Sequence, residues 1–306
     1  MVRRVFWCVL PLLAASVVAA QPRALPVPPN VTVDGVPAIP MTLVEAVAPY
    51  GQFRQARVVA WHPVERRLVV ATSFANLPQL HEVRFPGAAR RQLTFFADGV
   101  GPRPGAVFGR KGESIVFQKD SARGGEANQL YRYDFDTGAL TMLTDGTSRH
   151  GSPVSSPSGV IAFDSTKRNG KDRDLYVMRA AQPESVRLVA QNEGAWSALA
   201  WSPDGTAILA LQNVSSSETH LWRIDAASGE KTRLTPADGQ PARWSAATFG
   251  AGGKTIYALS NFGSERSRIW RWTAGTWSAL TPAEPAIESF ALSADGHTIA
   301  AVVDLG

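Results

Sequence analysis

Apolar and polar residues alternate in short runs through most of this chain, and the runs come in sets. Leu130-Tyr-Arg-Tyr, Leu175-Tyr-Val-Met, Leu221-Trp-Arg-Ile and Ile269-Trp-Arg-Trp are four such runs, and Leu80-His-Glu-Val is a fifth. Alternation with period two is the pattern of a half-buried strand. Between 12 and 16 residues before each lies a more continuous apolar run: Leu68-Val-Val-Ala, Ser114-Ile-Val-Phe, Val160-Ile-Ala-Phe, Ala207-Ile-Leu-Ala and Thr255-Ile-Tyr-Ala, with Thr298-Ile-Ala-Ala as a sixth. These predict strands covered on both faces. Each is preceded by a turn whose clearest copy is Trp201-Ser-Pro-Asp-Gly205, where Pro203 presets φ and Gly205 accepts φ > 0.

The turn recurs in register. Matching segments begin at Trp61, Phe108, Ser155, Trp201, Phe249 and Leu292, separated by 47, 47, 46, 48 and 43 residues. A glycine stands four residues after the start in five of the six copies, and Glu65 is the exception. After the third strand, a turn such as Asp136-Thr-Gly138 or Ala227-Ser-Gly229 leads to a fourth, which closes on Leu93-Thr94, Leu143-Thr144, Leu234-Thr235 or Leu280-Thr281; the third unit has Leu188-Val189 instead.

Four short antiparallel strands at a period near 46 residues are the signature of an all-β protein of the β-propeller class. The expected blades cover about 58–100, 104–147, 151–193, 196–239 and 244–284, with a partial sixth at 287–306, so the propeller spans 58–306. Trp61, Phe108, Trp201 and Phe249 are expected to pack between blades, and Trp201→Ala is expected to cost about 3–5 kcal/mol. The sixth unit stops where its third strand should begin, which leaves exposed strand edges. The expectation is a fragment of a longer protein.

Ahead of the repeats the pattern changes. Residues 21–57 read as a Pro-rich tether, with six prolines between Gln21 and Pro40, followed by one short helix over Thr42–Tyr50. Thr42 is placed to cap that helix and Glu45 to complete a capping box. Residues 1–20 read as a signal peptide: Arg3 and Arg4, the apolar run Val5–Val18 interrupted by Pro11, then Val18-Ala19-Ala20 before Gln21. That implies a periplasmic or secreted protein with no membrane span once the signal is removed. The run is short for a span and is followed at once by Pro-rich sequence.

Composition narrows the chemistry. The 306 residues are 44% hydrophobic and 19% charged, ordinary values for a globular chain. Losing Arg3 and Arg4 with no acidic residue takes the net charge from +5 to +3, and the basic residues are scattered, so nucleic acid is not an expected partner. The single cysteine, Cys8, falls inside the signal, which leaves no disulfide or cysteine metal site in the mature chain.

Trp201-Ser-Pro-Asp-Gly205, Leu221-Trp-Arg-Ile-Asp225 and Ala227-Ser-Gly229 through Leu234-Thr235 resemble a blade repeat shared by two groups. One is TolB, a periplasmic protein-binding propeller. The other is the N-terminal propeller of prolyl-oligopeptidase-family serine peptidases of the dipeptidyl-peptidase and acylaminoacyl-peptidase types. Ala48-Pro-Tyr50, Trp61-His-Pro63, Pro78-Gln-Leu-His81, Arg91-Gln-Leu-Thr-Phe-Phe96, Gln129-Leu-Tyr-Arg-Tyr-Asp134 and Asn169-Gly-Lys-Asp-Arg-Asp-Leu-Tyr-Val-Met178 favour the second group. The likeness runs over roughly residues 40–306. It implies a propeller that limits access to an active site carried by a following α/β-hydrolase domain in cis, with peptides as substrates. The alternative it leaves is a non-catalytic TolB-like propeller that binds envelope proteins.

No catalytic, cofactor-binding or metal residue is expected in the chain itself, no cofactor is expected, and substrate-binding residues cannot be named from sequence. A hydrolase elbow needs Gly-x-Ser-x-Gly, and the nearest segment, Gly146-Thr-Ser148-Arg-His150, lacks the last glycine and a following helix. His62, His81, His150, His220 and His297 fall on different blades without ligand spacing. Asp172 and Asp174 match only a fragment of a calcium loop. The charged loop Lys119–Asn128 is placed to face substrate or a further domain, but an ordinary exposed loop is the favoured reading.

Overall fold

A computed structural model describes residues 23–51, 55–74, 77–101, 104–121, 126–237, 240–293 and 295–305. The expected signal peptide, with Cys8, and residues 122–125 of the charged loop lie outside the described residues. The chain divides into two compact units, Met1–Arg54 and Gln55–Gly306.

In the first unit, helix α1 runs over Met41–Gly51 with no buried residue. It starts one residue before Thr42, and the Pro40 carbonyl receives the Leu43 and Val44 amides at 3.0 and 3.3 Å. Thr42 therefore sits inside the first turn, and its expected capping role passes to the Pro40 backbone. The Pro-rich segment also departs from a simple extended tether. Ala24 and Pro40 form an antiparallel bridge, Leu25 N donates to Ile39 O at 2.8 Å, and Met41 N donates to Arg23 O at 2.6 Å. A turn in which Val31 N donates to Pro28 O reverses the chain between these ends. Proline disfavours a ladder only where its own missing N–H is needed.

The second unit is an all-β propeller. Its first sheet holds β1 (Ala56–Trp61), β2 (Leu68–Thr72), β3 (Gln79–Val83) and β4 (Arg91–Gln92); its second, β5 (Ala106–Phe108), β6 (Ser114–Asp120), β7 (Asn128–Asp134) and β8 (Leu140–Met142). The third is β9 (His150–Ser155), β10 (Val160–Ser165), β11 (Asp174–Arg179) and β12 (Gln182–Ala190), and the fourth β13 (Ala195–Trp201), β14 (Ala207–Asn213), β15 (Thr219–Asp225) and β16 (Lys231–Arg233). The fifth is β17 (Trp244–Phe249), β18 (Thr255–Ser260), β19 (Arg268–Thr273) and β20 (Thr276–Ala279), and the sixth, among the described residues, is the pair β21 (Ala286–Leu292) and β22 (Ile299–Asp304). Every sheet is an antiparallel meander in sequence order. From β1 to β17 each first strand contacts the first strand of the next sheet, so these strands share one side of the stack. A bulge interrupts the pairing of first and second strands in the first, third, fourth, fifth and sixth sheets, as between Ala198 and Ala200. It adds local twist where first strands crowd together.

Five apolar clusters fill the five sheet-to-sheet interfaces. Between the first two sheets, Val69, Ala71 and Leu80 meet Ile115, Phe117 and Tyr133. Leu209, Leu221 and Leu234 meet Trp244, Phe249 and Ile256 between the fourth and fifth. The same strand offers one face to each neighbour: Ala207 and Leu209 point forward, Ile208 and Ala210 backward. That double burial is why the second strands read as continuous apolar runs.

The recurring turns form a second, polar stack. Ser202 Oγ accepts the Ala207 amide at 2.9 Å, and Asp204 Oδ1 accepts the Thr206 amide at 3.0 Å. Gly205 has φ +71°, and a Cβ built there would touch Pro157 in the turn of the preceding sheet. At Gly112, φ is +81° and a Cβ would stand 1.6 Å from His62 Nε2 of the first sheet's turn. The glycine kept four residues after five of the six anchors thus serves both a left-handed backbone and the seating of one turn on the last.

The anchors differ in burial. Phe108 and Phe249 are buried against the preceding sheet, and Trp201 is half-buried there, its Nε1 donating to Val154 O at 3.2 Å. Trp61 is 67% exposed, contrary to expectation. The anchor packs backward, and no sheet precedes the first among the described residues.

Candidate functional site

Strand direction places the connections at two rims. Ala195 pairs with Asn213, and Asn213 with Thr219, so the start of a first strand, the end of a second and the start of a third lie together. The turns just described occupy the opposite rim. The rim carrying the longer connections, from second to third strand and from fourth strand to next sheet, holds the cavities and most of the buried polar groups.

A side-chain clasp builds this rim and explains the recurring Leu-Thr pair. Thr94 Oγ1 accepts the Leu80 amide at 2.9 Å and donates to Gln79 Oε1 at 2.8 Å, while Gln79 Nε2 donates to Phe96 O at 2.7 Å. The second sheet repeats it: Leu130 N to Thr144 Oγ1 at 3.1 Å, Thr144 Oγ1 to Gln129 Oε1 at 2.6 Å, and Gln129 Nε2 to Ser148 O at 2.6 Å. In the fifth, Thr281 Oγ1 accepts the Ile269 amide at 3.0 Å. In the third, where Val189 replaces the threonine, Asp174 takes over and accepts the Asn192 amide at 2.8 Å. Each clasp continues the ladder beyond the fourth strand and satisfies groups that would otherwise be buried without partners.

The charged residues singled out in the sequence are distributed as follows. Asp174, buried, is held by Arg168 Nε at 2.7 Å and Nη2 at 3.2 Å, and Asp172 accepts from Asn169 Nδ2 at 2.7 Å and Gly194 N at 2.9 Å. Both carboxylates close the loop on arginine and backbone amides. Lys119 is buried and donates to Asp98 Oδ2 at 2.9 Å and Asp120 O at 2.8 Å, so the base of the loop 119–128 is tied down. His62 Nδ1 accepts the Glu65 amide at 2.8 Å; burial, then Arg67, pushes the imidazole below its ordinary range. His81 Nδ1 donates to Gln79 O at 3.0 Å, and His220 lies 3.1 Å from Arg233. No group of three or more possible metal ligands gathers among the described residues.

Ser148 and His150 come close to the same carboxylate. Asp145 Oδ1 accepts the Ser148 amide at 2.8 Å and lies 3.2 Å from His150 Nε2. Burial opposes ionisation of Asp145, but hydrogen bonds from Ser148, Thr147 and His150 hold it well below the carboxylate range. His150, 3% exposed, is itself pushed down by burial. A nucleophilic serine must hydrogen-bond the imidazole, which the acid then orients. Here serine and histidine both turn to the acid, which makes a loop cap.

Sequence reasoning missed two features of this rim. One is buried Asp164 paired with the partly exposed Arg173; burial holds the Asp164 carboxyl above its ordinary range against the pull of the guanidinium. The other is a cavity of about 430 Å³ between the third and fourth sheets, lined by residues of six separate segments that include Arg168, Trp196, Gln212, Trp222 and Lys231. Neither has a local sequence signal: Asp164 and Arg173 meet only once two neighbouring segments pair, and the cavity gathers residues from six separate segments.

No family model matches the chain, and no curated protein matches it. Solved structures do. TolB from Acinetobacter baumannii aligns at 20% identity with TM-score 0.53, over 83% of this chain and 60% of that one. An oligogalacturonate lyase from Vibrio parahaemolyticus aligns at 10% identity with TM-score 0.63, over 80% and 70%. A prolyl endopeptidase aligns at 13% identity with TM-score 0.58, over 82% of this chain and 39% of its own length. The chain therefore spans less than two thirds of the TolB and the endopeptidase it matches. At these identities the likeness establishes the propeller fold.

Proposed function

We propose that this chain is the substrate-gating propeller of an exported serine peptidase, acting as a lid on an α/β-hydrolase domain that residues 1–306 do not contain. The observation that carries this reading is the alignment of 82% of the chain with 39% of a prolyl endopeptidase. The remaining length of that protein leaves room for a separate catalytic body. Two features of the chain support the reading: it has no Gly-x-Ser-x-Gly elbow, and Ser148 and His150 converge on Asp145 instead of forming a relay. A rim of crevices beside a set of packed sheets suits a body that filters short peptides. Export rests on residues 1–20, and no helix among the described residues is long and apolar enough to cross a membrane.

The test is activity labelling of the natural gene product in its own cells with a fluorophosphonate probe. A labelled serine in a protein that contains this propeller, on a domain outside residues 1–306, is expected. A gene product that contains the propeller and takes no label overturns the reading. The alternative, a TolB-like propeller that binds envelope proteins, draws on the 20% identity to TolB. It predicts specific capture of envelope proteins and no labelled serine.

A further inference from the structure

The cavity between the third and fourth sheets joins open hydrogen-bond donors and one open carboxylate to an aromatic wall. Arg168 spends Nε and Nη2 on Asp174, Asp172 and the Asn192 carbonyl, and Nη1 has no partner among the described residues. Lys231 Nζ donates to Gln191 O at 2.7 Å and Asn192 Oδ1 at 3.2 Å, which leaves one of its three hydrogens. Gln212 Oε1 accepts the Trp222 indole N–H at 3.0 Å; this fixes the amide and leaves its NH₂ unpaired. Glu193 gives its backbone carbonyl to Trp196 Nε1 at 2.9 Å, and its carboxylate has no partner among the described residues.

The wall is preorganised. The Trp196 and Trp222 rings lie 5.4 Å apart, Trp196 is buried, and the Lys231 ammonium stands 5.3 Å from the Trp196 ring. Trp222 is half-buried and lines the cavity, so part of its surface remains open to an apolar group. Arg168 is braced by a carboxylate pair and a carbonyl, so little conformational freedom is lost when Nη1 takes a ligand.

The geometry points to a binding site for the C-terminal end of a short peptide. Its carboxylate would be taken by Arg168, Lys231 and the Gln212 amide, its last side chain would lie against Trp222, and Glu193 would accept from an N–H or the free ammonium. Donors in excess of acceptors select an acceptor-rich, negatively charged group. The unpaired Glu193 selects a ligand that also carries donors, and the indole wall selects an apolar side chain. A volume of about 430 Å³ suits two or three residues. A neutral sugar would leave the Lys231 ammonium, which has only the Gln191 carbonyl and the Asn192 amide oxygen as partners, without a counter-charge. The choice of a peptide rests on the gating reading above; the site itself rests on the cavity alone.

Calorimetric titration of the purified chain with Ala-Ala-Phe, and with the same tripeptide as its C-terminal amide, tests this. The free acid is expected to bind saturably at one site and the amide about tenfold more weakly or worse. Two substitutions, Lys231→Met and Gln212→Glu, should each weaken the acid about tenfold while the thermal midpoint stays near that of the unaltered chain. Lys231→Met keeps the stem over Trp196, and Gln212→Glu keeps an acceptor for Trp222 Nε1 while removing both amide donors. Equal binding of acid and amide, absence of saturable binding, or preference for a hexuronic acid over the peptide overturns the proposal. The readout involves no hydrolysis. Peptide binding by a protein that proves to have no labelled serine sinks the gating reading and leaves this site standing; a labelled peptidase whose propeller ignores the tripeptide does the reverse.

Discussion

Trp61-His62-Pro63 and Trp201-Ser202-Pro203 open the same turn in the first and fourth sheets, and their surroundings differ at every point. Trp201 lies half-buried on the third sheet and donates to Val154 O; Trp61 is 67% exposed. In the fourth sheet Ser202 Oγ and Asp204 knit the turn from within. In the first, the larger His62 ring does it, with Nδ1 accepting the Val64 and Glu65 amides and Nε2 lying 2.8 Å from Arg67. The first turn also lacks the positive-φ glycine, since Glu65 stands there. Two identical sequence anchors thus have two environments, and the neighbouring sheet decides which. The tryptophan is apolar surface awaiting a partner, and its sequence position alone does not bury it.

The largest expected effect is on the side of that comparison where one turn meets the next. Gly112→Ala forces a Cβ to within 1.6 Å of His62 Nε2 at a backbone φ of +81°. The strain and the overpacking together should cost about 3 kcal/mol in chemical denaturation. His62→Ala combined with Gly112→Ala should recover part of that cost, because the clash is with the ring. Additive losses in the double variant would show that the turns do not touch.

Next comes Trp201→Ala, revised downward from the expectation for a fully buried indole. A half-buried ring with one hydrogen bond to Val154 O should cost about 2–3 kcal/mol. A loss under about 1 kcal/mol would mean that the anchor contributes nothing to the interface.

Glu82 tests the first sheet beside its turn, where Arg67 reaches both Glu82 and His62. Its carboxylate is 1% exposed and ringed by Arg67 at 2.8 Å, Arg84 at 3.1 Å and Arg91 at 3.0 Å. Burial raises its pKa, but hydrogen bonds from Arg84 and Arg67 outweigh it, and the folded value lies below the ordinary 4.5. Because the folded value is depressed, this carboxylate's contribution is fully present above pH 4.5. It is lost as pH falls from there through the folded value. Glu82→Gln should therefore cost about 2 kcal/mol at neutral pH, less than a fully buried pair because two of the arginines are well exposed. The gap between variant and parent should narrow as the pH drops below 4.5. A gap that stays constant down to pH ~2.5 would show that the charge is not what stabilises the site.

The comparison also marks what could be read from the residues. The sheets were legible because a buried second strand and an alternating third strand differ in pattern, as Ala207–Leu211 and Leu221–Ile224 do. The turn glycines were legible because Gly205 needs a backbone that other residues resist. The Leu-Thr pair was visible as a repeat, but its role was hidden, because the partner of Thr144 is Gln129 on another strand. The cavity at Arg168, Gln212 and Lys231 was invisible for the same reason on a larger scale. Local conformation leaves a local signal; a site assembled across two sheets leaves none until the chain has been folded.

The smallest effect closes the comparison where it began. Trp61→Ala removes an indole with the same sequence context as Trp201 but 67% of its surface already in water. Area bookkeeping at about 25 cal/mol per Å² makes the loss a fraction of the Trp201 value, below about 1 kcal/mol. Paired denaturation curves of the two variants measure the ratio directly. A Trp61→Ala loss equal to that of Trp201→Ala would show that another surface covers the first sheet in solution, and that Trp61 packs backward like the anchors of the later sheets. A loss near zero would show the reverse: the burial of this repeat is conferred sheet by sheet, each anchor stabilised only by the neighbour it can reach.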